Sequence, residues 1–158
     1  MTPDIVAFGK KSQVCGIMAG PRIDEVEGNV FNVSSRIHST WGGSLTDMVR
    51  CQIILETMEA DSLVENAAEV GDALLDGLRE LADSFSETIS NVRGRGFFCA
   101  FDCVSGDVRD RLLKLCLEQN VLVLPCGPIA IRLRPALTLS RDEVLEGVRR
   151  IRAALETL

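Results

Sequence analysis

Three segments of the 158-residue sequence carry side chains whose type and position could do chemistry. The first contains Lys10, which follows the apolar run Ile5–Phe8 and Gly9. Because reactive groups in α/β proteins gather at strand ends, we expect the Lys10 amine to project from such an end. A partly desolvated lysine amine can lose its proton and attack an aldehyde, forming a Schiff base. The alternative is an ordinary solvated lysine, since most lysines are exposed.

The second segment is residues 39–44, Ser-Thr-Trp-Gly-Gly-Ser, directly before a predicted helix. A helix N-terminus presents unpaired N–H groups and a partial positive charge. The glycines let an anion approach the backbone, and the Thr40 hydroxyl adds a donor. The pattern leaves two interpretations open, a phosphate site and a plain helix-capping turn. We expect His38 to have a local turn role and Trp41 to pack over the site.

The third segment contains Arg132, in the sequence Ile-Arg-Leu-Arg-Pro of residues 131–135. Arginines at alternating positions of a strand, here Arg132 and Arg134, point to the same face. A guanidinium can bind a carboxylate through two parallel hydrogen bonds. The alternative is a surface arginine on an edge strand, because most arginines are exposed.

The elements that must position these residues are read from hydrophobic periodicity and turn residues. Apolar runs predict strands at 5–8, 14–19, 88–92, 97–103, 121–124 and 129–133. Helical spacing predicts helices after Ser44, after a turn near Asp61, over 108–119 and after Ser140. Ser62 with Glu65 and Ser140 with Glu143 resemble capping boxes. We therefore predict an α/β fold in which residues 61–158 form a compact α/β sandwich.

Composition excludes several classes of function. The net charge of -6, from 23 acidic and 17 basic residues, argues against non-specific nucleic-acid binding. No apolar run reaches the roughly 20 residues of a membrane helix, and no signal peptide is recognisable, so we predict a cytoplasmic protein without a membrane partner. Six cysteines without a CxxC pair, beside one histidine, predict structural thiols and no metal site.

Taken in order, four segments resemble motifs of the class III pyridoxal-phosphate aminotransferases. They are the lysine motif at 3–11, the phosphate-binding segment at 39–43, the Arg-Gly-x-Gly strand at 93–98 and the arginine segment at 132–135. The resemblance covers nearly all of the chain and about the last third to two-fifths of a family member. It implies a fragment of the fold type I aminotransferase, with residues 1–60 ending the large PLP-binding domain and 61–158 forming the small C-terminal domain.

The resemblance also implies roles for individual residues. Lys10 would form the Schiff base with pyridoxal 5′-phosphate and shuttle a proton. Thr40 would bind the cofactor phosphate of the neighbouring subunit, which implies a homodimer. Arg132 would hold the carboxylate of 2-oxoglutarate or of the amino acid.

Within the family, Trp41 and residues 45–50 resemble the lysine 6-aminotransferase subgroup, although His38 departs from the Asn expected there. This implies transfer of the terminal amine of L-lysine to 2-oxoglutarate, a step of lysine catabolism. Two alternatives stay open: another ω-amine transaminase, acting on ornithine or 4-aminobutyrate, and a truncated, non-catalytic dimerisation module. The motifs of the family's N-terminal half cannot be placed, so we expect weak or no activity from this chain alone. We also expect the region from about Ser62 onward to fold by itself.

Overall fold

A computed structural model describes residues 3–37, 40 and 42–158. The chain forms two compact units, Met1–Asp61 and Ser62–Leu158. The sequence placed a boundary between residues 60 and 61. The expectations for His38, Ser39 and Trp41 fall outside the described residues.

Among its described residues, the first unit contains an antiparallel pair of strands and one long helix. Strands β1 (Ile5–Phe8) and β2 (Gly16–Ala19) are connected through a 3-10 turn at Lys10–Ser12. Helix α1 (Leu45–Ala60) begins after Ser44, whose hydroxyl accepts the Asp47 N–H. The apolar composition of residues 5–8 predicts a buried strand, but Ile5 is 57% exposed in this structure. A two-stranded sheet is too small to bury its apolar side chains unless other elements pack against its faces.

The second unit is a four-stranded antiparallel sheet packed against three helices. In chain order its elements are α2 (Leu63–Ser84), β3 (Ile89–Arg95), β4 (Phe98–Cys103), α3 (Gly106–Glu118), β5 (Leu124–Cys126), β6 (Ala130–Leu133) and α4 (Arg141–Glu156). The strand order is β3-β4-β6-β5.

Alternation along β4 separates the two faces of this sheet. Cys99, Phe101 and Cys103 are buried in one core with apolar residues of the three helices. Ala100 and Asp102, at the alternate positions, therefore lie on the opposite face, which we call the outer face. Because Arg132 pairs directly with Ala100, it lies on the outer face too.

Two local predictions differ from the structure. Ser62 adopts a left-handed φ of 49° and makes no side-chain cap, so the capping box expected there is wrong, while the box at Ser140 and Glu143 is confirmed. The strand expected at 121–124 instead begins at Leu124. Its first N–H, on Val121, donates to the Cys116 carbonyl at the end of α3, so it is not available to a strand ladder.

Gly71 of α2 lies directly against the backbone of Gly96 in the β3–β4 turn. A Cβ at position 71 would lie 2.3 Å from the Gly96 carbonyl carbon. Gly71→Ala is therefore expected to lower the free energy of unfolding by about 1–3 kcal/mol through overpacking. Urea denaturation of the two chains measures the difference.

A matched control is Gly147→Ala in α4, because a Cβ there has nothing within 4 Å. That variant should be unchanged or more stable by up to about 1 kcal/mol, since alanine favours helix more than glycine does. Equal stability of the two variants would contradict this packing.

Candidate active site

Lys10 opens the turn between β1 and β2. Its side chain is exposed, and its φ of 63° is left-handed. Few non-glycine residues adopt this conformation, which costs about 1–3 kcal/mol and tends to persist at functional sites. Gln13 closes the turn by donating its N–H to the Lys10 carbonyl at 3.0 Å. The turn thus holds Lys10 in a defined backbone conformation two residues after β1, so the predicted position just beyond a strand is confirmed.

Gly9 lets the two sides of this turn approach each other. A Cβ on Gly9 would lie 2.9 Å from the Cys15 Sγ. The backbone before Lys10 and the side chain that precedes β2 therefore lie nearly in contact. The glycine in the lysine motif thus has a structural reason, because a side chain there would collide with Cys15 across the narrow turn.

Thr40 lies shortly before the N-terminus of α1 and is exposed. A cleft of about 220 Å³ is lined in part by residues that closely follow Thr40 in the sequence. Its lining residues are 13–15, Gly42, Gly43, Ser44, Asp47 and Met48. The turn carrying Lys10 packs against α1. Gly43 has a φ of 75° and nothing within 4 Å of its Cβ position, which leaves room at the helix N-terminus. Within residues 3–37, 40 and 42–158, no hydrogen bond joins Lys10 to Thr40.

Arg132 lies in a central strand, because β6 is paired with β4 on one side and β5 on the other. The interpretation of Arg132 as an edge-strand arginine is therefore wrong. Its direct neighbours in the sheet are Ala100 and Leu124, neither of which has a polar side chain. The Arg132 Nε is buried and has no hydrogen-bond partner among the described residues. A buried donor without a partner costs about 1–3 kcal/mol, and an external acceptor would remove that cost.

Arg134 does not continue the strand beside Arg132. Strand β6 ends at Leu133, and Arg134 is exposed beyond it. Lys10 and Thr40 belong to the first unit and Arg132 to the second.

A charged cluster on the outer face was not predicted. Asp102 accepts a hydrogen bond from Asn91 at 2.6 Å and pairs with Arg93 at 2.9 Å. The hydrogen bond from Asn91, followed by that from Arg93, lowers the pKa of Asp102. The only signal in the sequence was an asparagine inside a predicted strand, a residue that tolerates left-handed backbone and so accompanies bulges.

The buried cysteines are not candidates for nucleophiles. Burial raises the pKa of Cys103 and of Cys116 to about 11, and it also raises that of Cys99. These thiols stay protonated at neutral pH, and the thiolate is the reactive form. In the part of the chain that the structure describes, no cluster of three or more His, Cys, Asp or Glu residues is arranged to hold a metal. None of its described helices is long and apolar enough to cross a membrane.

Comparison with known proteins identifies the class. The profile of the family described as Aminotransferase class-III matches residues 1–155. The chain therefore belongs to the class III aminotransferases, as the four motifs predicted.

Within that family the chain is similar to L-lysine-epsilon aminotransferases. It is 50% identical to the enzyme of Mycobacterium tuberculosis over 155 residues, which cover 98% of this chain and 34% of the relative. It is 47% identical to the enzyme of Amycolatopsis lactamdurans over 156 residues, covering 98% and 35%. The mitochondrial 4-aminobutyrate aminotransferase of Homo sapiens is 34% identical over 134 residues, covering 85% and 26%. The chain thus spans about a third of the length of these lysine aminotransferases.

Solved structures agree on the fold. The lysine aminotransferase from M. tuberculosis in the internal aldimine form superposes with a TM-score of 0.93 at 49% identity, covering 99% of this chain and 36% of that one. An acetylornithine aminotransferase from Elizabethkingia anophelis, at 21% identity, gives a TM-score of 0.86 over 100% of this chain and 42% of that one. The fold is that of the fold type I aminotransferases, as predicted.

Proposed function

We propose that this chain carries the lysine, a phosphate-binding threonine and a carboxylate-binding arginine of a pyridoxal 5′-phosphate-dependent aminotransferase that moves the terminal amine of L-lysine to 2-oxoglutarate. The observation that carries the proposal is the geometry of Lys10. A strand-end turn of defined backbone conformation presents this exposed amine in a chain of the class III family. Residues 1–60 then belong to the cofactor-binding domain, and residues 61–158 form the small domain.

The described residues fit the cofactor. When bound, pyridoxal phosphate supplies a carbonyl that condenses with amines and a ring that accepts an electron pair. Lys10 offers an accessible amine to that carbonyl. Gly43 keeps the helix N-terminus open where a side chain would otherwise stand.

Lys10 has two tasks in this proposal. Its Nζ would hold the cofactor in place by condensing with the cofactor carbonyl. As a free amine, the same nitrogen would act as a general base and take a proton from the carbon that bears the departing amine. A tight turn suits both tasks, because it fixes the backbone while the long side chain remains able to move.

Thr40 and the N-terminus of α1 would bind the cofactor phosphate through the Thr40 hydroxyl, the nearby backbone N–H groups and the helix dipole. Its partner would be the cofactor of a neighbouring subunit in a homodimer.

Arg132 would bind the carboxylate of 2-oxoglutarate or of the amino acid. Its side chain lies beside Ala100 and Leu124, so neither directly opposed side chain competes for the guanidinium. A fork of two parallel hydrogen bonds fixes the orientation of a carboxylate as well as binding it.

The identity of the amine donor has a direct test. The natural protein that carries this sequence should transfer the amine of L-lysine faster than that of ornithine or 4-aminobutyrate, with formation of glutamate from 2-oxoglutarate as the readout. Other ω-amine donors remain the alternative to lysine, because the human 4-aminobutyrate aminotransferase is also a relative. Equal rates with lysine and ornithine would contradict the choice of lysine while leaving the transaminase itself in place.

A further inference from the structure

Three residues of the outer face form a row across neighbouring strands. Arg93 of β3 and Arg132 of β6 each lie directly opposite Ala100 of β4. Neighbouring strands are about 4.8 Å apart, so the two arginine backbones are separated by roughly 10 Å. Only the small Ala100 side chain stands between them. The two arginine side chains therefore share one surface.

Asp102 is an acid on this surface that lies close to Arg132 in the sheet register. It pairs with Ala130 in the register that pairs Ala100 with Arg132, so it is the diagonal neighbour of Arg132. Diagonal neighbours are about 7–8 Å apart at the backbone, within reach of a long side chain. The Asp102 side chain is 18% exposed and that of Arg93 is 46% exposed, so this acid lies at the protein surface. A mobile Asp102 carboxylate would pair with Arg132 and occupy the guanidinium.

The Asp102 carboxylate is nevertheless bound by residues of β3, on the side away from Arg132. Its Oδ2 accepts from the Asn91 side-chain amide at 2.6 Å, and its Oδ1 pairs with Arg93 Nη1 at 2.9 Å. Arg93 Nη1 also donates to the Asn91 carbonyl at 2.8 Å, which links the two holding residues. Both carboxylate oxygens thus have partners, and these partners lie on β3.

A β-bulge creates this arrangement. The register between β3 and β4 shifts between Ser90 and Arg93, and Asn91 has a left-handed φ of 52°. A bulge redirects side chains of the bulged strand, and asparagine tolerates the left-handed conformation better than most residues do. The bulge brings the amide of Asn91 and the guanidinium of Arg93 to the same carboxylate.

We propose that Asn91 and Arg93 are positioning residues that hold Asp102 away from Arg132 and so keep Arg132 available for the carboxylate of the substrate. This inference rests on the proposed role of Arg132. Its support is that the Arg132 Nε has no partner among the described residues, although an acid lies diagonally across the sheet. We call the three residues Asn91, Arg93 and Asp102 the Asp102 lock.

The test is a rescue experiment in the natural protein that carries this sequence. Arg93→Ala should raise the KM for 2-oxoglutarate about two- to fivefold, because a competing exposed ion pair is worth up to about 1 kcal/mol. The kcat should stay within about twofold, since Asp102 competes with binding and not with the chemical step. Adding Asp102→Asn to Arg93→Ala should return the KM to its original value, because the amide carries no charge.

A second variant tests the lock without removing a charge. Asn91→Gly keeps the left-handed backbone available and removes only the amide. It should raise the KM by a smaller factor, and Asp102→Asn should again restore it. The matched control is Arg79→Ala on α2, which breaks an ion pair of the same 2.9 Å length with Asp76 and should leave the KM unchanged.

The outcomes separate the lock from the proposed function. A purely structural role would lower kcat and stability in both the single and double variants, and Asp102→Asn would not rescue, which would overturn the inference. An unchanged KM in Arg93→Ala and Asn91→Gly would also overturn it, provided that Arg132→Lys raises the KM. An unchanged KM in Arg132→Lys would instead overturn the carboxylate-binding role on which the inference rests.

Discussion

Replacing Lys10 with alanine is expected to lower the transamination rate of the natural protein by at least about 10³-fold, because a positioned general base alone contributes about 10²–10⁴. The variant also loses the covalent bond to the cofactor. The measurement is glutamate formation from L-lysine and 2-oxoglutarate at saturating pyridoxal phosphate. Cofactor affinity is measured separately by equilibrium dialysis and should fall as well.

Lys11 provides a control that differs by one position. It is exposed and lies in the same 3-10 turn as Lys10. Lys11→Ala changes the net charge by the same amount, so a general electrostatic effect would appear in both variants. We expect Lys11→Ala to keep the rate within a few-fold. A similar loss in the two variants would show that the turn, and not the Lys10 amine, is what the reaction needs.

The second large effect is expected at Arg132. Arg132→Lys keeps the positive charge but replaces the planar fork with a single ammonium, which cannot make two parallel hydrogen bonds. Hydrogen bonds to charged groups contribute about 1.5–3 kcal/mol, so the KM for 2-oxoglutarate should rise roughly 10- to 100-fold. Initial rates at varied 2-oxoglutarate measure the change.

Arg134→Lys is the matched control, because Arg134 lies two residues further along the chain and is exposed. It should leave the KM within about twofold. The melting temperature of both variants should be compared with that of the original protein, since Arg132 lies in a central strand. A large drop in melting temperature without a change in KM would point to a structural arginine instead.

Much of the fold follows from hydrophobic spacing. The apolar stripe of α2 includes Val70, Leu74, Leu78 and Leu81, and all four are buried in the core. The capping box of α4 formed because Ser140 and Glu143 can satisfy each other's backbone within one turn. Features that depend only on residues within a few helical turns can therefore be predicted from the sequence.

The errors arose where the local backbone, and not the residue type, decided the structure. Ser62 has the residue type of a helix cap, but its left-handed backbone directs the side chain elsewhere. Residues 121–124 have strand composition, yet the Val121 N–H closes α3 by bonding to Cys116. Such local conformations depend on the surrounding packing, which cannot be read from residue types alone.

The candidate site shows the same division. Lys10, Thr40 and Arg132 were found from motifs, each of which lies within a few consecutive residues. The Asp102 lock could not be found in that way, because it depends on the register between β3 and β4 and on a bulge at Asn91. The central position of β6, which excludes an edge-strand arginine, likewise depends on the strand order and not on the sequence of the strand.

The central claim is that the Lys10 amine binds the pyridoxal phosphate carbonyl. Borohydride reduces the resulting C=N bond to a stable secondary amine, so the natural protein should be incubated with the cofactor, reduced, digested and mapped by mass spectrometry. We expect one phosphopyridoxyl label, on Lys10, with none on Lys11 and none in Lys10→Ala. A label on another lysine, or equal labelling of Lys10 and Lys11, would contradict the account.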